Sequence, residues 1–174
     1  MDKNFFNRNA EIVARELLGK ILIRRINDKE KIVRIVETEA YFDDSDPASR
    51  ACKNGDLCDT MKMQAGTILV YGVHNNWLIN FVTDEKEVAS AVLIRAVEPL
   101  NFEDKGNGPG LLTKALEIDK KLHKQSIFNN NEIRIEDEMK KEIEIVESFR
   151  IGVKKDLPRK LRFYIKDNKS VSRR

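Results

Sequence analysis

The sequence predicts an α+β fold in a single domain, on three observations. Short Ile- and Val-rich segments are separated by turn signals, two stretches carry apolar residues at helical spacing, and one nearly continuous apolar run, "SAVLIRAVEP", has the character of a central strand. The chain has 174 residues and 41% hydrophobic content, enough to build a core without disulfides or a metal staple. No internal repeat or low-complexity linker interrupts it.

The elements follow in order. Ala10, Val13, Ala14, Leu17 and Leu18 recur at i, i+3, i+4, i+7 and i+8, with Asn9 or Asn7 as a cap and Gly19 just past the end, which predicts an amphipathic helix. Ile21 to Ile26 and Lys31 to Tyr41 flank "NDKE" and read as a hairpin. After a polar, flexible loop from Asp43 to Gln64, "GTILVYG" and "WLINFVT" predict two strands joined by "VHNN". The run ending at Pro99 is a further strand, and "GNGPG" turns the chain into a second helix carrying Leu111, Leu112, Ala115, Leu116 and Ile118. Ile133 with Ile135, Ile143 with Ile145, and Leu161 to Ile165 predict further strands around a long charged connection.

Charge is informative through its placement. The formal net charge is +3 on 35% charged residues, too small by itself to announce a nucleic-acid partner. Yet Lys154 to Arg174 holds nine Lys or Arg against Asp156 and Asp167, while Glu136 to Glu147 holds six acids against Lys140 and Lys141. Two solvated faces explain this, and so does a basic C-terminal surface that meets phosphate. Cys52 and Cys58 match no common zinc or redox spacing and read as free thiols, so no metal site is signalled. The opening "MDKNFFNRNA" resembles neither a signal nor a transit peptide, and no stretch approaches the roughly 20 apolar residues of a membrane span, so a cytoplasmic protein is expected.

Two anomalies stand out among the strands. On an alternating strand Ile35, Glu37, Glu39 and Tyr41 share one face, and residues two apart lie roughly 6.5–7 Å from one another. A flat ring held against Tyr41 would then sit beside the Glu39 carboxylate. The bland reading is an exposed face on which both glutamates meet water or pair with Lys and Arg, and it is the stronger one for Glu37. Arg95 interrupts an apolar strand and must find a partner or reach water. Pairing with Glu39 would keep that carboxylate ionised and fix a water between them, as a general base requires; a purely structural ion pair is the alternative reading.

"VARELLGKILIRR", "RIVETEAY", "GTILVYG", "VLIRAVEP", "NGPGLLTKALEI" and "LRFYIKDNKSVSR" occur in the order and near the spacing of the alkyladenine (3-methyladenine) DNA glycosylases, which the chain resembles from about Phe5 to Ser172. The resemblance implies a curved, mostly antiparallel sheet flanked by helices, with a β-hairpin that probes DNA. It implies a monomer that needs no cofactor, acts on double-stranded DNA containing damaged purines, and is nucleoid-associated if prokaryotic. Glu39 would activate the water that attacks the sugar C1′, and Arg95 with the backbone carbonyl of Ile151, in "RIGV", would position it. Tyr41 and Tyr71 would stack on the flipped base, and Asn80 would exclude the 2-amino group of normal guanine. No lysine matches a Schiff-base nucleophile, so hydrolysis without strand nicking is implied.

The chain departs from the family pattern twice. Where the loop after "EAY" usually brings a base-bonding histidine, equal spacing places Arg50, a cation expected to disfavour cationic methyl purines and to favour neutral lesions such as hypoxanthine. Solvent or phosphate is its other destination. The hairpin "VYGVHNNWLIN" is one residue shorter than the pattern and lacks the tip tyrosine that wedges into duplex DNA, leaving Val73 or His74 for that place. His74 otherwise reads as an ordinary exposed histidine, and His123 suggests no more. Two further functional classes stay open: a catalytically weak lesion-binding protein of the same fold, and a nucleoside hydrolase or nucleotide-binding module.

Overall fold

Asn9 is the residue that starts the long N-terminal helix: its side chain accepts the Glu11 amide at 2.9 Å, and Gly19 leaves the helix end with φ +84°. A computed structural model describes residues 1–138 and 142–172 of the chain. Helix α1 spans Lys3–Phe6 and α2 Ala10–Leu17; α2 buries Ala10, Val13, Ala14 and Leu17. Strand β1 (Ile21–Ile26) turns through Asn27 and Asp28, at φ 46° and 62°, into β2 (Lys29–Tyr41). The turn therefore takes two residues rather than "NDKE", because two consecutive left-handed residues match the twist of a tight hairpin. Lys29 and Glu30 join the ladder, opposite Ile26 and Arg25.

The remaining strands are β3 (Ile68–Val73), β4 (Asn76–Val82), β5 (Ala91–Pro99), β6 (Ile133–Glu136), β7 (Ile145–Ser148) and β8 (Arg162–Ile165). All eight belong to one curled antiparallel sheet in the order β3-β4-β5-β2-β1-β6, with β8 pairing both β2 and β7. Strand β2 organises it: one edge runs along β5, and the other pairs first with β1 and then, at Glu37–Glu39, with β8. Helix α3 (Asp56–Met61) and a single 3-10 turn at Arg50–Cys52 give the expected flexible loop 43–64 two ordered elements. Helix α4 is Pro109–Ala115, with Pro at its start, and ends before Leu116 rather than reaching Ile118. Of the last predicted pairs, Ile145 opens β7 and Ile143 lies outside it.

The main core lies between one sheet face and α1, α2 and α4, and includes Phe6, Leu17, Ile68, Ile79, Phe81, Ile94 and Leu112. A second cluster on the opposite face joins Met61, Leu69, Val82 and Ala91, with Tyr41 and Tyr71 against it. One departure from simple alternation matters for function. Val36 on β2 and Arg95 on β5 are both skipped in the pairing, which passes from Ile35↔Val97 to Glu37↔Ala96 to Thr38↔Ile94. The bulge puts Ile35 into the main core, on the same side as Ala40, and leaves Glu37, Glu39 and Tyr41 facing away from it. Ile35 thus does not share the glutamates' face, as uninterrupted alternation predicts.

Candidate active site

The bulged Arg95 is aimed at both acids of β2. Its Nε donates to Glu37 Oε1 at 3.1 Å, and its Nη1 lies 3.3 Å from Glu39 and 3.4 Å from the Ile151 carbonyl. Both glutamates are 0% exposed, so the reading of an exposed strand face is corrected. A carboxylate in this position without a cation would be neutralised or would unfold the strand. Glu37 is satisfied fourfold: besides Arg95 it accepts from Arg162 Nε (2.7 Å) and from the amide and hydroxyl of Ser172 (2.7 and 2.9 Å). Among the described residues, two carboxylates thus meet two guanidinium groups.

Glu39 has different company. Oε1 accepts the Ile151 N–H at 2.7 Å and Oε2 accepts the Tyr41 hydroxyl at 2.7 Å. Burial pushes its carboxyl up; Arg95, the Ile151 amide and Tyr41 pull it back, Glu37 adds a smaller push, and the balance lies above the ordinary glutamate value. The Tyr41 phenol is held well above its usual range by burial and by the Glu39 charge, so it stays a donor. A buried carboxylate of raised basicity, with a backbone carbonyl nearby, has the properties of a general base.

Above this cluster lies a narrow cleft lined by Tyr41, Ala48, Arg50, Met61, Leu69, Tyr71, Asn80 and Ala91. The ladder explains the grouping, since Leu69 faces Asn80 and Tyr71 faces Leu78, which sets Leu69, Tyr71 and Asn80 on one face. The Asn80 amide is buried and donates to the Leu69 carbonyl at 3.1 Å, which fixes its plane. The Arg50 guanidinium lies 4.9 Å from the Tyr71 ring centroid, so it turns to the cleft rather than away from it. Val73 pairs with Asn76, and His74 and Asn75 alone form the exposed tip, both at positive φ, so the connection is two residues rather than "VHNN".

Sequence reasoning passed over four residues that the structure ties to the site. Arg150 covers the Tyr41 ring at 4.5 Å, donates to the Ala40 carbonyl and pairs in two-pronged fashion with Asp46 at 2.6 and 2.7 Å. Burial opposes the Asp46 charge, but Arg150 and the Ala48 and Phe42 amides outweigh it and hold that carboxyl below its usual range. Arg162 and Ser172 complete the Glu37 cluster. Trp77, half-exposed opposite Gly72, lies on the hairpin, where an added Cβ on Gly72 would stand 3.6 Å from its ring. The signal for Arg150 was its adjacency to Ile151 in "RIGV", and Trp77 lies within the hairpin itself; Arg162 and Ser172 depend on pairings far apart in the chain.

His123 is more than an exposed histidine. Its Nδ1 accepts the Val70 amide at 3.2 Å while Nε2 lies 2.9 Å from Asp56, so it ties β3 to α3. The basic C-terminus also divides: Arg162 is buried on Glu37, and Arg159 and Lys166 pair with Glu11 and Glu144. Lys154, Lys155, Lys160 and Lys169 are exposed, and Lys140, Lys141, Arg173 and Arg174 lie outside the described residues. Cys52 and Cys58 are free thiols. No helix among the described residues is long and apolar enough to cross a membrane.

The curled antiparallel sheet thus holds a buried acid–arginine cluster beside an aromatic cleft. Residues 4–169 match the family model described as methylpurine-DNA glycosylase, and the chain belongs to that family. Full-length relatives agree. A protein of Borrelia garinii subsp. bavariensis is 42% identical over 188 residues, covering 100% of both chains. One of Legionella pneumophila strain Corby is 39% identical, covering 99% of this chain and 98% of its own, and one of Clostridium perfringens is 38% identical, covering 100% and 99%. All three carry the provisional name 3-methyladenine DNA glycosylase. The chain is by this membership a DNA glycosylase, a hydrolase of base excision repair.

Proposed function

We propose that this protein flips a damaged purine out of duplex DNA into the Tyr41–Tyr71 cleft and hydrolyses its N-glycosidic bond, leaving an abasic site without nicking the strand. Alkylated adenine and guanine, hypoxanthine and ethenoadenine are the lesions in view. The observation that carries this reading is the Glu39 carboxylate: fully buried, of raised pKa, and hydrogen-bonded to the hydroxyl of a cleft tyrosine. A water accepted by that carboxylate and by the Ile151 carbonyl would have a lone pair left for C1′, while Arg95 keeps Glu39 anionic. As the glycosidic bond lengthens, the sugar gains oxocarbenium character, which the same anion stabilises.

Unstacking a base costs a few kcal/mol, least for a damaged one, and stacking on aromatic rings returns about 1–3 kcal/mol per base. Asn80, locked by the Leu69 carbonyl, supplies a rigid wall against a 2-amino group. Val73 and His74, at the hairpin end, are the residues we assign to the gap in the duplex, and exposed Lys154 and Lys155, just after Ile151 and Gly152, to the DNA backbone.

The test is a labelled duplex with one central hypoxanthine or ethenoadenine, incubated with the protein and treated with hot alkali. Strand breaks at the lesion are expected, with Glu39→Gln slowing their formation by about 10²–10⁴-fold. Wild-type rates in Glu39→Gln would remove Glu39 from the mechanism. A shifted duplex without an alkali-labile site would mark a lesion binder, and release of base from free nucleosides without salt-dependent DNA affinity would mark a nucleoside hydrolase.

A further inference from the structure

We propose that Arg50 makes the cleft select neutral purine lesions over cationic, N-alkylated ones, an inference that rests on the glycosylase reading above. Two guanidinium groups stand over the two cleft tyrosines: Arg50 at 4.9 Å from the Tyr71 centroid and Arg150 at 4.5 Å from that of Tyr41. They differ in what balances them. Arg150 faces two carboxylates, Asp46 and Asp156, both within hydrogen-bond distance. Among the described residues no carboxylate pairs with Arg50, and its companions in the cleft wall, Tyr41, Ala48, Met61, Leu69, Tyr71, Asn80 and Ala91, bear no acid. The Glu39 charge nearby is already matched by Arg95.

A cationic base entering this space meets an unbalanced positive charge, that of Arg50, where water is scarce and repulsion is little screened. A neutral purine with a carbonyl or ring-nitrogen acceptor meets the reverse, because Arg50 can donate to it while the base stacks on tyrosine. Hypoxanthine, with O6 and N7, and ethenoadenine are such bases; 7-methylguanine carries a positive charge and has its N7 blocked.

Arg50 is also held in place by its backbone. The Ser49 Oγ accepts the Ala51 amide at 3.1 Å and donates to the Phe42 carbonyl at 2.5 Å, which fixes the turn that presents Arg50. Asp46, clamped by buried Arg150, accepts the Ala48 amide at 3.0 Å and anchors the same loop. The cation is therefore part of a braced wall.

The experiment compares single-turnover release of hypoxanthine and 7-methylguanine from one duplex sequence by the wild type, Arg50→Gln and Arg50→Lys. Comparing ratios between proteins cancels the better leaving ability of the cationic base. Arg50→Gln should lower the hypoxanthine to 7-methylguanine ratio by about tenfold or more, chiefly by faster release of 7-methylguanine, while Arg50→Lys stays within about threefold of the wild type. A ratio unchanged in a normally melting Arg50→Gln overturns the proposal. A second measurement needs neither variant and uses two lesions that both lack the 2-amino group Asn80 excludes: Glu39→Gln should bind the hypoxanthine duplex about tenfold or more tightly than a 3-methyladenine duplex, and equal binding also overturns it. Absence of release from both lesions by the wild type would overturn the glycosylase reading instead, with the binding comparison still deciding selectivity.

Discussion

Replacing Glu37 by Gln tests whether the buried cluster is built as described. Glu37 Oε1 accepts from Arg95 Nε, Arg162 Nε and Ser172 Oγ, and Oε2 accepts the Ser172 amide. Glutamine keeps the shape but has one accepting oxygen; with that oxygen at the Oε1 position, its NH₂ faces the Ser172 N–H, donor against donor. Hydrogen bonds to charged groups contribute about 1.5–3 kcal/mol against 0.5–1.5 for neutral pairs, and breaking a buried ion pair costs about 3–5 kcal/mol. A loss of about 3 kcal/mol is expected, a fall in Tm of roughly 6–12 °C for a chain of this size. Thermal unfolding at neutral pH measures it. The second readout is catalytic: the Glu37 charge adds to the upward push on the Glu39 carboxyl, so Glu37→Gln should move the acid limb of the excision rate to lower pH. A Tm within about 2 °C of wild type would refute the stability reasoning. An unmoved acid limb would refute the coupling.

Asp46→Asn should flatten the acid side of the stability curve: Arg150 holds the Asp46 carboxyl below its usual range in the fold, so its contribution is present above the unfolded value and lost as pH falls through the folded one. Urea midpoints measured between about pH 5 and pH 3 should fall more steeply for wild type than for the variant. Lys154→Ala with Lys155→Ala should weaken binding to all duplexes alike and reduce the salt slope of log K by up to about 0.9 per lysine; an unchanged slope removes them from the DNA contact. Gly106→Ala would place a Cβ 2.4 Å from the Val97 carbonyl oxygen, and should cost about 1–3 kcal/mol as a lower urea midpoint with an unchanged m-value.

Much of the architecture was legible because it is local. The Ala10–Leu17 period, the Asn9 cap and the apolar run of β5 each declare their element within a few residues. The turns at Asn27–Asp28 and His74–Asn75 were legible as turns but drawn too long, because a pair of left-handed residues closes a hairpin without help from its neighbours. Helix α3 and the turn at Arg50 were read as flexible loop, since no strong periodicity marks them; Ser49, Asp46 and Arg150 order that segment instead.

By itself the sequence determined the strand and helix inventory, the presence of an arginine too polar for its strand, and the motifs that mark the family, since these are encoded by neighbouring residues. Only the tertiary structure decided what those residues do to one another. Paired bulges at Val36 and Arg95, invisible to a two-residue period, turn Arg95 onto Glu37 and Glu39 and sever Ile35 from their face. Pairing of β2 with β8 buries Glu37, and the segment after β7 brings the Ile151 amide to Glu39. Arg50 comes to rest on Tyr71 for the same reason: contacts distant in the chain set which polar groups lose water, and with it their basicity and their choice of partner.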